Sequence, residues 1–260
     1  MAAHPSVPAG LTAAPGVPIL HLLGGPFVTI NGVRREVPEG SKRLLVFVAL
    51  QRGAVKRQRV AGALWALGDE TRALGNLRSA LWRLRVAGVD LVASDKWSLR
   101  LRAGVAVDLR LVSDWAGRLI RDTHLVEDLG MPTWSDEALD LLPGWYDDWV
   151  LMERERVRQL VLHALEALSR RLVAAARCAE AVEAAMAAVT VEPLRESAQR
   201  ALIEAHLAEG NWVEGRRAYQ AYRELLRREL GVVPATDLAV RLGFDAPVGR
   251  RSPVARPASA

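Results

Sequence analysis

A helical repeat in the second half of the chain constrains the fold more than any other feature. Between Trp149 and Leu230 apolar residues recur at steps of three and four, the spacing of amphipathic helices. Within this stretch the pattern repeats after 34 residues, so that Glu180 matches Glu214. A 34-residue period with small residues in the second helix is typical of the tetratricopeptide repeat, in which paired helices stack closely. The sequence therefore predicts an all-α, tetratricopeptide-like domain, which we place at 113–245.

The segment before this domain predicts small strands followed by three helices. Two β-like runs, Ile19–Leu23 and Phe27–Ile30, precede an Asn31-Gly32 pair, which favours a tight hairpin turn. Three helical patterns follow in the chain: Ser41–Gln51 with Ser41 as its N-cap, Lys56–Ala66, and Glu70–Val86.

A second hairpin is predicted after the third helix. Leu91–Ala93 and Trp97–Leu101 flank a tight turn at Ser94–Lys96. Apolar and polar residues alternate along Trp97–Leu101, so Trp97 and Leu99 share one face of the strand. We therefore place the Trp97 side chain in the core. Strands, three helices and a hairpin follow the order of a winged helix-turn-helix of the response-regulator type. We assign this domain to 19–112, which makes the whole chain mainly α with small β-sheets.

Net charge divides the chain in a similar way. The first 120 residues hold 17 Lys and Arg against 8 Asp and Glu, whereas residues 121–246 hold 15 against 22. A basic half followed by an acidic half favours nucleic acid as a partner of the first half alone. The two ends, 1–18 and 246–260, are rich in proline and small residues and are predicted to be a disordered leader and a disordered tail.

The third helix of the first domain carries the candidate recognition face. We take three leucines as its buried stripe: Leu77, Leu81 and Leu84. The opposite face then holds small or polar residues and one arginine: Asn76, Ser79, Ala80, Arg83 and Ala87. Small residues let a helix lie deep in the major groove, and long donors reach the bases. Arg83, in the middle of this face, is predicted to bind guanine O6 and N7, and Asn76 is a weaker candidate for reading adenine.

Other basic residues are predicted to bind the phosphate backbone. Five of them flank the recognition face or begin the second helix: Arg78, Arg85, Lys56, Arg57 and Arg59. Free backbone N–H groups and the helix dipole favour a phosphate at a helix start, and such contacts fix register without reading sequence. Lys96 and Arg100, in the second hairpin, are placed to reach the adjacent backbone or the minor groove.

Motifs for catalysis or metal binding are missing from the sequence. It has no G-x-x-x-x-G-K-[ST] loop, no G-x-S-x-G elbow and no H-E-x-x-H pair. We therefore expect no enzyme activity, no metal and no cofactor. The single cysteine, Cys178, fits a reducing cytoplasm. The longest apolar run, Leu44–Leu50, is too short to cross a bilayer, so no membrane partner is expected.

Longer strings of the sequence resemble a known family. The stretches LLPGWYDDWVLMERERVRQLVLHALEAL (141–168), VEPLRESAQRALIEAHLAEGN (191–211) and AYQAYRELLRRELGVVPATDL (218–238) resemble the bacterial transcriptional activator domain. Upstream, SKRLLVFVALQRGAVKRQRVAGALW (41–65) and NLRSALWRLR (76–85) resemble the winged helix that accompanies it. The pairing, over about 19–242, resembles the short form of the Streptomyces antibiotic regulatory protein family.

This resemblance implies a pathway-specific activator of a secondary-metabolite, or antibiotic, gene cluster. Such activators bind direct repeats near the promoter −35 element side by side and recruit RNA polymerase. The implied partners are double-stranded promoter DNA, RNA polymerase holoenzyme and a second copy of the chain on DNA, at a cytoplasmic, nucleoid-associated location. The family's recognition positions fall on Asn76–Arg85. Lys96-Trp97 stands where the family's wing usually has Gly-Tyr, and without a phosphate loop we expect no ATP-linked regulation.

One alternative comes from a different functional class. In a tetratricopeptide-type adaptor, the winged helix would serve a protein interface and DNA binding would be weak or lost. The salt dependence of DNA binding separates the two hypotheses, because each phosphate contact steepens the log–log slope by about 0.9. Enzyme activity is a distant third hypothesis.

Overall fold

The computed structural model of the chain describes residues 16–67, 69–130 and 140–243. The predicted tail at 246–260 and the predicted leader up to residue 15 lie outside the described residues. Within the described ranges, every helix is too short or too polar to cross a membrane.

The chain divides into two compact units inside one long helix, the first ending at Ala164 and the second beginning at Leu165. The elements of unit 1 follow in order: β1 (Ile19–His21), β2 (Phe27–Ile30), β3 (Val33–Glu36), α1 (Glu39–Leu50), β4 (Val55–Lys56), α2 (Arg57–Leu64), α3 (Glu70–Val86), β5 (Val92–Ser94), β6 (Ser98–Leu101), β7 (Ala106–Val107), α4 (Asp108–Ile120), a 3₁₀ turn (Val126–Leu129) and the first part of α5 (Asp148–Ala174). Unit 2 holds the end of α5 and four further helices: α6 (Cys178–Val191), α7 (Glu196–Ala208), α8 (Trp212–Leu230) and α9 (Thr236–Arg241). The domain border predicted between 112 and 113 stays a prediction.

The front sheet has the strand order β3-β2-β1-β7, with β1, β2 and β3 antiparallel and β7 parallel to β1. The predicted Asn31-Gly32 turn joins β2 to β3, with φ values of 51° and 76°. Both values lie in the left-handed region that a two-residue hairpin turn needs. The prediction of this hairpin is confirmed.

Helix α1 is the central helix of the winged-helix core, as its nearly continuous apolar run predicts. Leu44, Leu45, Val46 and Val48 are all buried, and α1 packs against both α2 and α3. The predicted N-cap at Ser41 is wrong, because the helix begins at Glu39 after Pro38. Ser41 is instead fully buried and its hydroxyl donates to a backbone carbonyl of α3 at 2.9 Å, so it joins two helices.

Helix α4 was not predicted, although its residues carry the signal of an amphipathic helix. Leu109, Val112, Trp115 and Leu119 are buried at steps of three and four. Its first residue, Asp108, is a buried carboxylate. A buried carboxyl group needs hydrogen-bond partners, and the apolar side chains of the core cannot provide them.

Backbone N–H groups from two elements supply those partners. The N–H of Leu22 donates to both oxygens of Asp108 at 3.0 Å, that of Leu23 donates at 3.1 Å, and that of Leu109 donates at 2.6 Å. His21 Nδ1 lies 3.7 Å from Oδ2 of the same carboxyl. Burial raises the pKa of Asp108 to about 7, against the opposing effect of these N–H donors. The carboxyl therefore fixes the end of β1 to the start of α4.

Unit 2 confirms the 34-residue repeat in its backbone geometry. The turn after α5 contains Ala176 with φ 57°, and the turn after α7 contains Gly210 with φ 81°, which is 34 residues later. The following N–H groups donate to equivalent carbonyls at 2.8 Å, Arg177 to Leu172 and Asn211 to His206. Each helix pair therefore ends its first helix with the same left-handed residue and the same six-to-one hydrogen bond, as in the Schellman motif.

These equivalent turns give a matched stability prediction. An alanine in the left-handed region is strained and a glycine is not, so Ala176→Gly is expected to raise the free energy of unfolding by about 1 kcal/mol. Gly210→Ala is expected to lower it by a similar amount for the same reason. Urea unfolding followed by far-ultraviolet circular dichroism measures both changes. A loss of stability in Ala176→Gly would contradict the assignment of strain to this turn.

A buried ion pair joins two helices of unit 2. Glu166 on α5 is only 4% exposed, and its Oε1 accepts from Arg195 Nε at 2.6 Å and from the Ser197 hydroxyl at 2.7 Å. Arg195 is the residue before α7. The pair therefore fixes the start of α7 against the end of α5.

Candidate nucleic-acid interface

Helix α3 presents one side to the core of the winged helix and the other to solvent. Four residues form its buried side: Ala73, Leu77, Ala80 and Leu84. At 100° per residue, the opposite side is centred on a row of four positions: Thr71, Gly75, Arg78 and Trp82. We call these four residues the exposed row. Arg78 and Trp82 are exposed and lie one helical turn apart.

The predicted position of Arg83 in the middle of the exposed face is wrong. Its side chain is half-buried and turns back towards the start of α1, where Nη2 donates to the Gly40 carbonyl at 3.0 Å. A Cβ added at Gly40 would lie 3.2 Å from the Arg83 guanidinium, so the glycine makes room for the arginine. Ala80, predicted on the same face, is fully buried. Arg83 therefore anchors α3 to α1.

A groove of about 580 Å³ lies beside the exposed row. It is lined by seven residues: Lys56, Arg57, Gln58, Leu74, Arg78, Lys96 and Trp97. They come from the β4–α2 junction, from α3 and from the β5–β6 hairpin. Four are cations, and none of these described lining residues is Asp or Glu. The arrangement favours an extended polyanion that runs between α3 and the hairpin.

The β5–β6 hairpin is held against the start of α2 by hydrogen bonds. In the sheet β4-β6-β5, Val55 pairs with Leu99. The Arg57 N–H donates to the Trp97 carbonyl at 3.0 Å, and its guanidinium donates to the Ser94 hydroxyl at 2.6 Å. Arg57 therefore uses some of its N–H groups for hydrogen bonds inside the protein. Its role is to position the hairpin as well as to add positive charge to the groove.

Asp95 shapes the tip of this hairpin. Its carboxylate accepts from the backbone N–H groups of Trp97 and Ser98 at 2.7 and 2.8 Å and from the Ser98 hydroxyl at 2.8 Å. These hydrogen bonds, the one from Trp97 first, lower the pKa of Asp95. A carboxylate satisfied in this way closes the turn and leaves Lys96 on the outside.

The prediction that Trp97 belongs to the core is wrong. The residue precedes β6, its side chain is 74% exposed, and the Lys96 ammonium lies 4.9 Å from the centre of its ring. The alternation that buries Leu99 stops at the turn, because Asp95 redirects the backbone there. Trp97 therefore lines the groove as an exposed aromatic surface.

The other predicted site residues have different surroundings. Arg59 and Arg100 are exposed and lie outside the set that lines the groove. Ser79 is exposed next to the exposed row, and Asn76 is half-buried on the side of α3 that Arg83 occupies. Arg85 is exposed, with Nε 3.8 Å from an Asp90 carboxylate oxygen. Whether each of these residues binds DNA stays a prediction.

Reasoning from sequence missed two features of the interface. Trp82 is not part of the predicted recognition face but is 64% exposed in the exposed row. Gly75 was not considered, although a Cβ there would meet only Arg78 Nη2 at 3.8 Å, so the surface above it is open. The sequence does contain a signal for the orientation of α3: the spacing of Ala73 and Ala80 with Leu77 and Leu84 marks its buried side. In the part of the chain that the structure describes, no group of three or more His, Cys, Asp or Glu residues is placed to hold a metal ion.

Comparisons with known proteins agree with this architecture. Residues 116–241 match the model of the bacterial transcriptional activator domain. The regulatory protein AfsR of Streptomyces griseus is 31% identical over 189 residues, which cover 68% of this chain and 19% of that protein. The chain therefore spans about a fifth of the length of this relative.

A solved structure supports the fold independently. The structure of Mycobacterium tuberculosis EmbR in complex with a low-affinity phosphopeptide superposes with a TM-score of 0.62 at 19% identity, covering 87% of this chain and 64% of EmbR. At this identity the likeness concerns the fold, a winged helix followed by an all-α domain. With a match to the bacterial transcriptional activator domain at 116–241 and a winged helix before it, the chain is similar to the Streptomyces antibiotic regulatory protein family.

Proposed function

We propose that the chain binds promoter DNA in a sequence-specific manner through the exposed row of α3 and the adjacent groove. The observation that carries this proposal is the groove itself, with Lys56, Arg57, Arg78 and Lys96 along its walls. The exposed row enters the major groove, where base edges are distinguishable. The cations beside it bind phosphates and fix the register of the helix on the duplex.

The proposal extends to the regulated genes and to the assembly on DNA. The relative from Streptomyces griseus is named a regulatory protein, and the sequence resembles activators of secondary-metabolite clusters. We therefore propose that the chain binds direct repeats in the promoters of such a cluster as two copies and recruits RNA polymerase holoenzyme. Run-off transcription with the holoenzyme, on a template that carries the bound site, tests recruitment. An unchanged transcript yield when the chain is added would contradict it.

A salt titration tests DNA binding directly. The bound sequence is first selected from a library of random 20-base-pair duplexes, and its dissociation constant is then measured from about 50 to 200 mM salt. For a chain that contacts several phosphates, the logarithm of the association constant falls steeply with the logarithm of the salt concentration. A flat slope, or no enriched sequence, would contradict the proposal and favour the adaptor.

Two arginines of α3 make a matched pair of variants for this titration. Arg78→Ala is expected to weaken binding about tenfold and to reduce the salt slope by about 1, because it removes one groove cation. Arg83→Ala is expected to leave the salt slope unchanged and to lower the melting temperature, because its guanidinium binds α1. An Arg83→Ala variant that loses the slope while Arg78→Ala keeps it would overturn the assignment of the exposed row.

A further inference from the structure

Trp82 is an exposed large apolar residue of α3, as is Val86 at the last residue of the helix. Leu77 and Leu84 are fully or almost fully buried, whereas Trp82 is 64% exposed in the middle of the helix surface that faces solvent. Core packing therefore does not account for a tryptophan at this position. A side chain of this size presents a wide, rigid apolar surface to whatever α3 binds.

The surroundings of Trp82 identify the chemistry of its partner. Arg78 lies one helical turn before it, and Gly75 opens the surface one turn before Arg78. Arg78 also lines the groove, together with Lys56 and Lys96. An apolar surface bordered by cations suits a partner that combines dense negative charge with a small apolar group. A DNA duplex read from its major groove has both properties.

The major-groove edges of the four base pairs differ in hydrogen-bond donors and acceptors, and only thymine adds an apolar group, its 5-methyl. An indole ring has a single N–H donor and a large apolar face. It is therefore poorly suited to read guanine or adenine by hydrogen bonds and well suited to cover a methyl group. We propose that Trp82 is a specificity-determining residue that selects thymine by apolar contact with its 5-methyl group. This inference rests on the proposed function.

Replacing thymine by deoxyuridine tests the contact, because it removes the methyl group and preserves every hydrogen-bonding atom. The duplex selected from the random library is synthesised with deoxyuridine at one thymine position at a time. The wild-type chain is expected to bind about fourfold more weakly when the critical methyl is missing, the size expected for one methyl group returned to water. Trp82→Ala is expected to bind both duplexes with equal affinity.

Trp97→Ala is the matched control, because Trp97 is the other highly exposed tryptophan near the groove. Whatever its own affinity, this variant is expected to keep the preference for thymine over deoxyuridine. Circular dichroism melting checks that both variants fold. If no duplex is enriched, the proposed function fails and this inference fails with it. If a duplex is enriched but the wild type does not discriminate deoxyuridine at any position, or Trp82→Ala retains the discrimination, only the inference about Trp82 is overturned.

Discussion

Replacing Asp108 by alanine is expected to lower the free energy of unfolding of unit 1 by about 3 kcal/mol at pH 5, because three buried backbone N–H groups lose their acceptor. These groups belong to Leu22, Leu23 and Leu109. Urea unfolding followed by tryptophan fluorescence measures the effect, since Trp115 of α4 is buried in this unit. Asp114→Ala, on the exposed side of the same helix, is the control and is expected to change stability by less than about 0.5 kcal/mol.

The same variant carries a prediction about pH. The pKa of Asp108 is about 7 in the folded chain and 3.8 ordinarily, so between these values the folded state retains a proton that the unfolded state releases. The contribution of this carboxyl to stability is therefore complete below about pH 4 and falls as the pH rises towards 7. We expect the stability difference between the wild type and Asp108→Ala to narrow between pH 5 and pH 8. A difference that widens over this range would contradict the raised pKa.

Glu166→Ala is expected to destabilise unit 2 by about 3 kcal/mol, because it leaves the largely buried Arg195 guanidinium without its carboxylate. Hydrogen exchange with mass spectrometry, applied to the whole chain, measures the loss of protection in residues 165–243 and keeps it separate from unit 1. Glu183→Ala, at an exposed position of α6, is the control and is expected to leave protection almost unchanged.

A double variant distinguishes the effect of losing the ion pair from the effect of changing the side-chain shape at this site. Glu166→Leu removes the same carboxylate from beside Arg195, whereas Glu166→Leu combined with Arg195→Met replaces the pair by apolar side chains of similar volume. Such replacements are often neutral or stabilising, so the double variant is expected to be more stable than Glu166→Leu alone. Equal or lower stability of the double variant would show that the charge is not the cause of the destabilisation.

The assignment of Arg83 shows where reasoning from sequence stops. Arg78 and Arg83 are five residues apart, so they lie about 140° apart around the helix and cannot share a face. Choosing Leu81 as a core residue, and leaving out Ala73 and Ala80, rotates the centre of the predicted face by about 40° and brings it from about 90° to about 50° from Arg83. Leu81 is only half-buried, whereas both alanines are buried. Alanine is compatible with core and surface alike, so only the packing of α3 against α1 determines which side of the helix is buried.

Patterns that depend on backbone conformation were predicted more securely. Asn31-Gly32 and the 34-residue repeat both reflect local chain geometry, and both are found in the structure. The prediction that Trp97 lies in the core was wrong for the converse reason. Strand alternation was extended through a turn whose path is set by the Asp95 carboxylate, and a two-residue period carries no information about such a contact.

For the proposed binding to DNA, the exposed row sets a limit on how much sequence one copy of the chain distinguishes. From Thr71 to Trp82 the helix rises about 16 Å, which corresponds to about five base pairs at 3.4 Å each. A five-base-pair word recurs by chance about once in a thousand base pairs, and a genome offers on the order of a million or more competing sites. Helix α3 alone therefore identifies thousands of positions and no single promoter. Selectivity at the scale of a chromosome requires the word to be read more than once at a fixed spacing.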